Sequence, residues 1–241
     1  MVNACRYRVE VFLLGIYVLA LLPGCVGRPH IDSPRVRLAE AYGLRDFGEI
    51  EELRYTFNVS LPDRVVSRSW AWEPKTDRVT FMGSAEQGGT VAYDRSALAG
   101  QAEETIRKID PQFVNDNYWL LFPLRLFWDQ SALVTADQEL QKLPIGTGQA
   151  ERLVVRYPTN EGYTPGDVYE LFIDGSGRIA QWVYRRGGDP QPTRITTWVG
   201  YQKVGPLTLS LDHRSADGSF RVWFTDVAVR LTGRPDWITA R

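Results

Sequence analysis

Leu53-Arg54-Tyr55-Thr56-Phe57-Asn58-Val59-Ser60-Leu61 is the stretch that decides the fold class. Apolar side chains fall at every second position, with arginine, threonine, asparagine and serine between them. A period of two sends alternate side chains to opposite faces of an extended chain, so this is a half-buried strand. The same period continues downstream. After Pro62-Asp63, Val66, Arg68, Trp70 and Trp72 alternate with Ser67, Ser69 and Ala71. A turn cluster from Glu73 to Asp77 leads to a short strand over Val79 to Gly83. Gly88-Gly89 leads to another over Thr90 to Tyr93. Short strands with tight connections pair antiparallel.

Upstream, Ser33-Pro34 reads as a cap followed by proline at the first helical position. Val36, Ala39, Tyr42 and Gly43 predict a helix from about Pro34 to Asp46. Downstream, a helical section interrupts the strands. Asp94 or Ser96 caps a helix through Leu98, Ala102, Ile106 and Ile109. Asp110-Pro111 repeats the cap-plus-proline signal and predicts a second, shorter helix running into the apolar segment Tyr118 to Trp128. Strands then resume over Arg152 to Tyr157. A hairpin follows, Val168 to Ile173 and Arg178 to Arg185, across Asp174-Gly175-Ser176-Gly177. The remaining strands are Arg194 to Tyr201, Leu207 to Leu211 and Phe220 to Val229. The tail from Gly233 to Arg241 reads as less ordered, apart from a docking Trp237.

Helices and strands are therefore segregated, which is the pattern of an α+β fold. The expected architecture is a curved antiparallel sheet whose concave face is covered by the central helices. The mature chain is long enough for one domain with a substantial core, expected over residues 34–241. The 28 basic and 29 acidic residues of the 241-residue chain nearly cancel, which removes the bulk electrostatic case for nucleic acid.

The N-terminus carries its own message. Arg6 and Arg8 precede an apolar run of about 12 residues, Val11 to Leu22, too short for the ~20 needed to cross a bilayer. Leu22-Pro23-Gly24-Cys25 resembles a bacterial lipobox, in which a peptidase cuts before the cysteine and the thiol is acylated. The resemblance implies a signal peptide over 1–24, lipid on Cys25 and a tether over 25–33. It also implies a membrane partner, reached through that lipid. Cys5 leaves with the leader, so the mature chain keeps one cysteine and forms no intrachain disulfide. Val26 follows Cys25 where aspartate is the usual inner-membrane retention signal, which favours the periplasmic face of the outer membrane.

From Phe47 to Arg230 the chain resembles the LolA/LolB-like superfamily of cell-envelope lipoprotein and lipid carriers. The resemblance rests on the strand layout, the inserted helical pair, the Asp174-Gly175 hairpin with the strand around Trp182, and the segment Phe113 to Pro123. It implies an incomplete, strongly curved barrel with helices at its mouth and an apolar cavity for acyl chains. It implies a non-enzymatic carrier or receptor for an acyl chain, lipid or lipoprotein, without cofactor. A structural or signalling module gripping an envelope protein on its concave face is the rival reading.

The candidate cavity rings are Trp70, Trp72, Phe81, Tyr93, Trp119, Phe122, Phe127, Trp128, Tyr169, Trp182, Trp198 and Trp223, all on strands or on the segment over them. Alternation reports which way a ring faces. It does not report whether the rings line a space or fill a solid core, and both readings stay open. Arg125 lies in an apolar run, with Asp129 four residues on. A pair between them is favoured over a fork of donors for a ligand anion. His213 ends a strand between Asp212 and Arg214 and reads as a surface residue; no Gly-x-Ser-x-Gly sequence accompanies it. His30 falls in the tether, and two scattered histidines give no zinc pattern. Asp174-Gly175-Ser176-Gly177 lacks the spacing of a calcium loop, and nothing in the spacing of Asp116, Asp129 and Glu170 demands an acid–base pair.

Overall fold

The computed structural model describes residues 33–84, 89–160 and 162–241. The predicted signal peptide, Cys25 and the tether up to residue 32 lie outside the described residues. The alternating stretch forms β1 (Ile50–Ser60), with Leu53, Tyr55 and Phe57 buried on its inner face. β1 pairs antiparallel with β2 (Val65–Glu73), which pairs with β3 (Arg78–Ser84), which pairs with β4 (Val91–Asp94). On its other edge β1 pairs with β13 (Arg221–Leu231). β13 continues the sheet to β12 (Leu207–Arg214) and β11 (Val199–Val204), and also pairs with β14 (Trp237–Thr239). These make an eight-stranded sheet. A second, six-stranded sheet runs β10 (Arg194–Thr197), β9 (Ile179–Arg185), β8 (Val168–Ile173), β7 (Gln149–Arg156) and β5 (Leu133–Ala136), with β6 (Gln141–Lys142) on β7.

Every strand pairing is antiparallel and neither sheet closes on itself. The expectation of one curved sheet is corrected to two. The predicted strand from Arg194 to Tyr201 is where they part. Trp198 donates its amide to Ala180 at 2.7 Å on the smaller sheet, and Val199 already pairs with Asp212 on the larger. Trp198 is the corner, 1 % exposed, with its ring against Trp182 and His213.

Three helical expectations are also corrected. α1 (Pro34–Ala41) stops short of Asp46 because Gly43 turns left-handed at φ +96°, and any Cβ there would sit 2.4 Å from the Pro206 carbonyl oxygen. A 3-10 turn over Leu44–Glu49 follows. Asp94 does cap, accepting the Ser96 amide at 2.8 Å, but only a 3-10 turn over Arg95–Gly100. Asp110-Pro111 starts no new helix. Winding resumes at residue 103 and passes through a π-turn, Thr105–Ile109, straight into α2 (Asp110–Trp128), the longest helix described. A residue before proline normally avoids the α region. Asp110 holds it at φ −64°, ψ −42°, because its buried carboxylate accepts the Tyr93 hydroxyl at 2.9 Å and Arg95 Nε at 2.6 Å. The proline at 123 leaves a kink at Leu121 (φ −117°, ψ 19°).

The tail is also corrected: residues 237–239 form β14, and the Arg54 guanidinium lies 4.0 Å over the Trp237 ring. β8, at the centre of the smaller sheet, is buried on both faces. Leu153, Leu171 and Trp182 face the main core. Phe172 and Val183 face Leu143 and Ala150, in a segment fastened by a reciprocal pair of 2.8 Å hydrogen bonds between the Gln181 amide and Ile145.

His213 departs furthest from its expected place. It is fully buried, in phase with Leu207, Leu209 and Leu211 on β12, and surrounded by the rings of Trp119, Trp198 and Phe224. Among the described residues, neither ring nitrogen has a partner at good hydrogen-bond geometry, although the Thr197 carbonyl lies near. Burial drives its pKa down to about 3, against a weak upward pull from Asp212 and the Thr197 carbonyl. Above pH 6.5 the imidazole is neutral folded or unfolded and costs nothing in proton binding. Below it, the unfolded chain takes a proton that the folded chain refuses until about pH 3. Stability is therefore expected to fall with pH across that window, by about 1.4 kcal/mol per unit from this group alone. Urea unfolding at several pH values checks it: His213→Phe should fall less steeply than the parent, and equal slopes would refute the assignment.

Candidate functional site

α2 is apolar on nearly every side, as a helix buried between two layers must be. Phe113 meets Trp70 and Trp72 of the larger sheet at centroid distances of 5.5 and 6.1 Å. Trp119 and Phe122 meet Trp182 of the smaller sheet at 4.5 and 5.4 Å, and Phe122 meets Tyr169 at 4.9 Å. The helix thus touches both sheets. Asn115, Tyr118, Trp119 and Phe122, three or four residues apart, share one stripe.

Against that stripe the structure leaves an open cleft of about 670 Å³. Phe57 and Val59 reach it from β1, and Val222 from β13, because they stand on the inner parity of their strands. Tyr169, Trp182 and Tyr184 reach it from β8 and β9 in the same way. Phe220 enters just ahead of β13. One end is flanked by Tyr163, Thr164 and Pro165, and the Tyr163 hydroxyl donates to the Asp110 carboxylate at 2.5 Å. The volume falls within the roughly 300–1,000 Å³ of small-ligand pockets.

The polar groups of the cleft lie around this apolar floor. Arg68 is held by the buried carboxylate of Asp116, through Nε at 2.7 Å and Nη2 at 2.5 Å, and lies 4.9 Å over Phe57. Burial pushes the Asp116 pKa up, and the Arg68 donors oppose it. Asp167 accepts the Gly187 amide at 2.7 Å. Burial, followed by the charge on Asp167, raises the pKa of Tyr169 well above its ordinary value, so its hydroxyl stays protonated. Arg194 lies 4.0 Å over the Phe220 ring, and Arg186 stands beside the Tyr184 hydroxyl. Beneath the floor, the indole nitrogens of Trp182 and Trp198, the Thr196 hydroxyl and both nitrogens of His213 have no hydrogen-bond partner among the described residues.

Of the twelve rings expected to form a cavity, Trp119, Phe122, Tyr169 and Trp182 line the cleft. Trp70, Trp72, Phe81 and Tyr93 pack solidly on the far side of α2, with Trp70 against Phe81 at 4.9 Å. Trp198 is sealed below the floor. Phe127 borders a separate pit beside α1, with Pro34 and Arg35. Trp128 is 36 % exposed and rests on Phe47 at 4.7 Å. Trp223 stands on the outer parity of β13 under Arg221. Cys25 lies outside the described residues.

Arg125 is likewise away from the cleft. Its Nε donates to Asn117 Oδ1 at 2.6 Å and its guanidinium lies over Trp72, so the expected pairing with Asp129 is corrected. Asp129 instead caps the turn at Ser131. The three carboxylates weighed for acid–base work have separate partners: Asp116 holds Arg68 and Trp70, Asp129 the turn, and Glu170 both Arg152 and Arg185. Asp174 accepts the amides of Ser176 and Arg178, a plain hairpin turn. Among the described residues, no group of three or more His, Cys, Asp or Glu is placed to hold a metal ion. No helix among them is long and apolar enough to cross a membrane.

Among the lining residues missed from sequence, Phe57, Tyr184, Arg194 and Val222 each share parity with a residue that faces inward. Arg194 is in phase with Thr196 and Trp198, and pairs with Tyr184 across β9. Strand parity marks them, but choosing candidates by ring size passes over an arginine.

No protein-family model matches the chain, and no curated protein matches it. Solved structures with a similar backbone include a DUF1329 family protein from Desulfovibrio piger, at TM-score 0.44 and 8 % identity, over 83 % of this chain and 91 % of that one. Another is a domain from Vibrio parahaemolyticus, proposed to be an outer membrane lipoprotein-sorting protein domain. It matches at TM-score 0.45 and 10 % identity, over 83 % of this chain and 93 % of that one. At these scores and identities neither likeness bears on what the cleft does.

Proposed function

We propose that the protein is a lipid-anchored envelope carrier or receptor that takes an acyl chain, alone or as part of a lipid or lipoprotein, into the cleft beside α2. In this reading residues 1–24 are a cleaved signal, Cys25 carries the anchor, and one domain over 34–241 faces the periplasm from the outer membrane. The helix α2 serves as the cover of a concave face shared by the two sheets. The protein works by binding and not by catalysis.

The observation that supports this best is the cleft itself, about 670 Å³ walled by Phe57, Trp119, Phe122, Tyr169 and Trp182. Hydrocarbon needs only apolar area. Each buried methylene contributes about 0.8 kcal/mol, so a tail of about 14 contributes roughly 11 kcal/mol before association costs of at least about 4. The balance corresponds to a micromolar dissociation constant.

Titration of the purified soluble domain with cis-parinaric acid, followed by energy transfer from tryptophan, checks the reading. Saturable micromolar binding is expected, weakened at least tenfold by Trp119→Asp in a variant whose circular dichroism is unchanged. No binding by the parent domain would overturn the carrier role and leave the protein-partner reading standing. The anchor is checked separately by mass spectrometry of membrane-extracted protein, where the expected N-terminus is an acylated Cys25. An unmodified Cys25 would refute it.

A further inference from the structure

Three arginines line the cleft, Arg68, Arg186 and Arg194, against one carboxylate, Asp167, among the described lining residues. Their situations differ. Arg68 is neutralised by Asp116 and anchored to α2. Arg194 is half-buried and stacked on Phe220, with no carboxylate within ion-pair distance and no side-chain hydrogen bond among the described residues. A guanidinium that spends its face on a ring keeps its edge donors for a planar anion. Arg186 is exposed, faces the Tyr184 hydroxyl, and among the described residues has no carboxylate within ion-pair distance, though the charge of Asp167 acts on it from further off. Tyr184 joins the two, as the cross-strand partner of Arg194 and two residues before Arg186. The one carboxylate among the described lining residues, Asp167, accepts the Gly187 amide and its charge also acts on Arg186, so it offsets one of the two guanidinium charges and leaves the other uncompensated. The cleft therefore runs from a ring-lined floor to a rim with positive charge to spare.

We propose that the occupant is a single acyl chain ending in an anionic group, a carboxylate or a phosphate. The tail lies along Trp119, Phe122 and Trp182, and the head sits between Arg186 and Arg194. This rests on the acyl-binding reading above and adds which end of the ligand faces out. A cationic amphiphile would meet unpaired arginines at the rim, and a neutral one would leave both unused.

Trp119 and Trp182 report occupancy directly, because bromine on a bound tail quenches indole emission. The soluble domain is titrated at pH 8 with 11-bromoundecanoic acid, 11-bromoundecanol and (11-bromoundecyl)trimethylammonium. The acid is expected to bind roughly three- to tenfold more tightly than the alcohol, as two solvent-facing ion pairs allow, with the cation weakest. The preference should shrink as salt is raised. Arg186→Gln with Arg194→Gln should bring the acid-to-alcohol ratio to about one. Equal binding of acid and alcohol by the parent domain would overturn the head-group assignment and leave the acyl-binding reading intact. Binding of none of the three would remove both. Inorganic phosphate, which carries charge without a tail, should not displace the acid; displacement would make this a site for a free anion and overturn the amphiphile. The parent's own ratio and its salt dependence decide the matter even if the double variant fails to fold.

Discussion

Asp116 is a carboxylate in the middle of a helix with no exposure to water, and the position of α2 depends on how it is satisfied. It accepts Nε and Nη2 of Arg68, Nε1 of Trp70 and the Asn115 amide. Three of those four donors, on Arg68 and Trp70, stand on β2, so one side chain fixes the height and rotation of the helix on the larger sheet. Leaving a buried charge without its partner costs about 3–5 kcal/mol, too much for the helix to slide away. Asp110 repeats the device at the start of α2, where Tyr93, Arg95 and Tyr163 converge on it. With the helix held toward β2, Trp119 and Phe122 reach from its other face to Trp182 and Tyr169 of the smaller sheet. The remaining gap is the cleft. Both carboxylates draw their partners from β2, from Tyr93 and Arg95, and from Tyr163, so they tie the helix on the side of the larger sheet.

A second feature lies under the cleft floor. Trp182 and Trp198, with Thr196 and His213, bury five polar atoms that have no partner among the described residues. Each such atom forgoes roughly 1–3 kcal/mol. Native structures hold few of these groups, and they gather where function overrides packing. Here they lie around the ring that borders the cleft, Trp182, and the residue that turns the chain from one sheet to the other, Trp198. The floor is shaped by large rings set edge to face, and their polar edges are left unpaired as a consequence.

The strands were legible in the sequence wherever alternation was long. β1, β2, β7, β8, β9, β12 and β13 fall where the period of two puts them. β5, β6 and β14 were missed because they are two to four residues long and flanked by polar neighbours, so no period develops. Asp110-Pro111 misled because a cap signal is local, whereas the bonds that keep Asp110 helical come from residues far along the chain. The break at Trp198 was invisible because parity does not change when a strand leaves one sheet and joins the next. His213 was legible and misread: its phase with Leu209 and Leu211 says inward, while Asp212 and Arg214 beside it suggested a surface. The question left open, cavity or solid core, has a divided answer. The rings facing β2 and β3 pack solidly, and those facing β8 and β9 border a space. Facing is a property of one strand, whereas a gap depends on the distance between two layers, which no local pattern records.

Affinity and orientation have separate sources in such a cleft. The walls supply area, and hydrophobic attraction is non-directional, so rings alone would accept a tail from either end. The rim charges contribute little energy because Arg186 is exposed and Arg194 half-exposed, and water screens both. A small energy suffices to choose between two orientations of the same tail, since the area term is equal in both and cancels. Under the proposed acyl-binding role, two weakly held arginines would decide which way a chain lies without making it hard to release. A fully buried cation would hold the head more tightly but would need a permanent partner in the empty state, as Arg68 needs Asp116. Leaving Arg186 and Arg194 at the edge of water avoids that requirement, which is what the proposed carrier role would need of a site that stands both empty and filled.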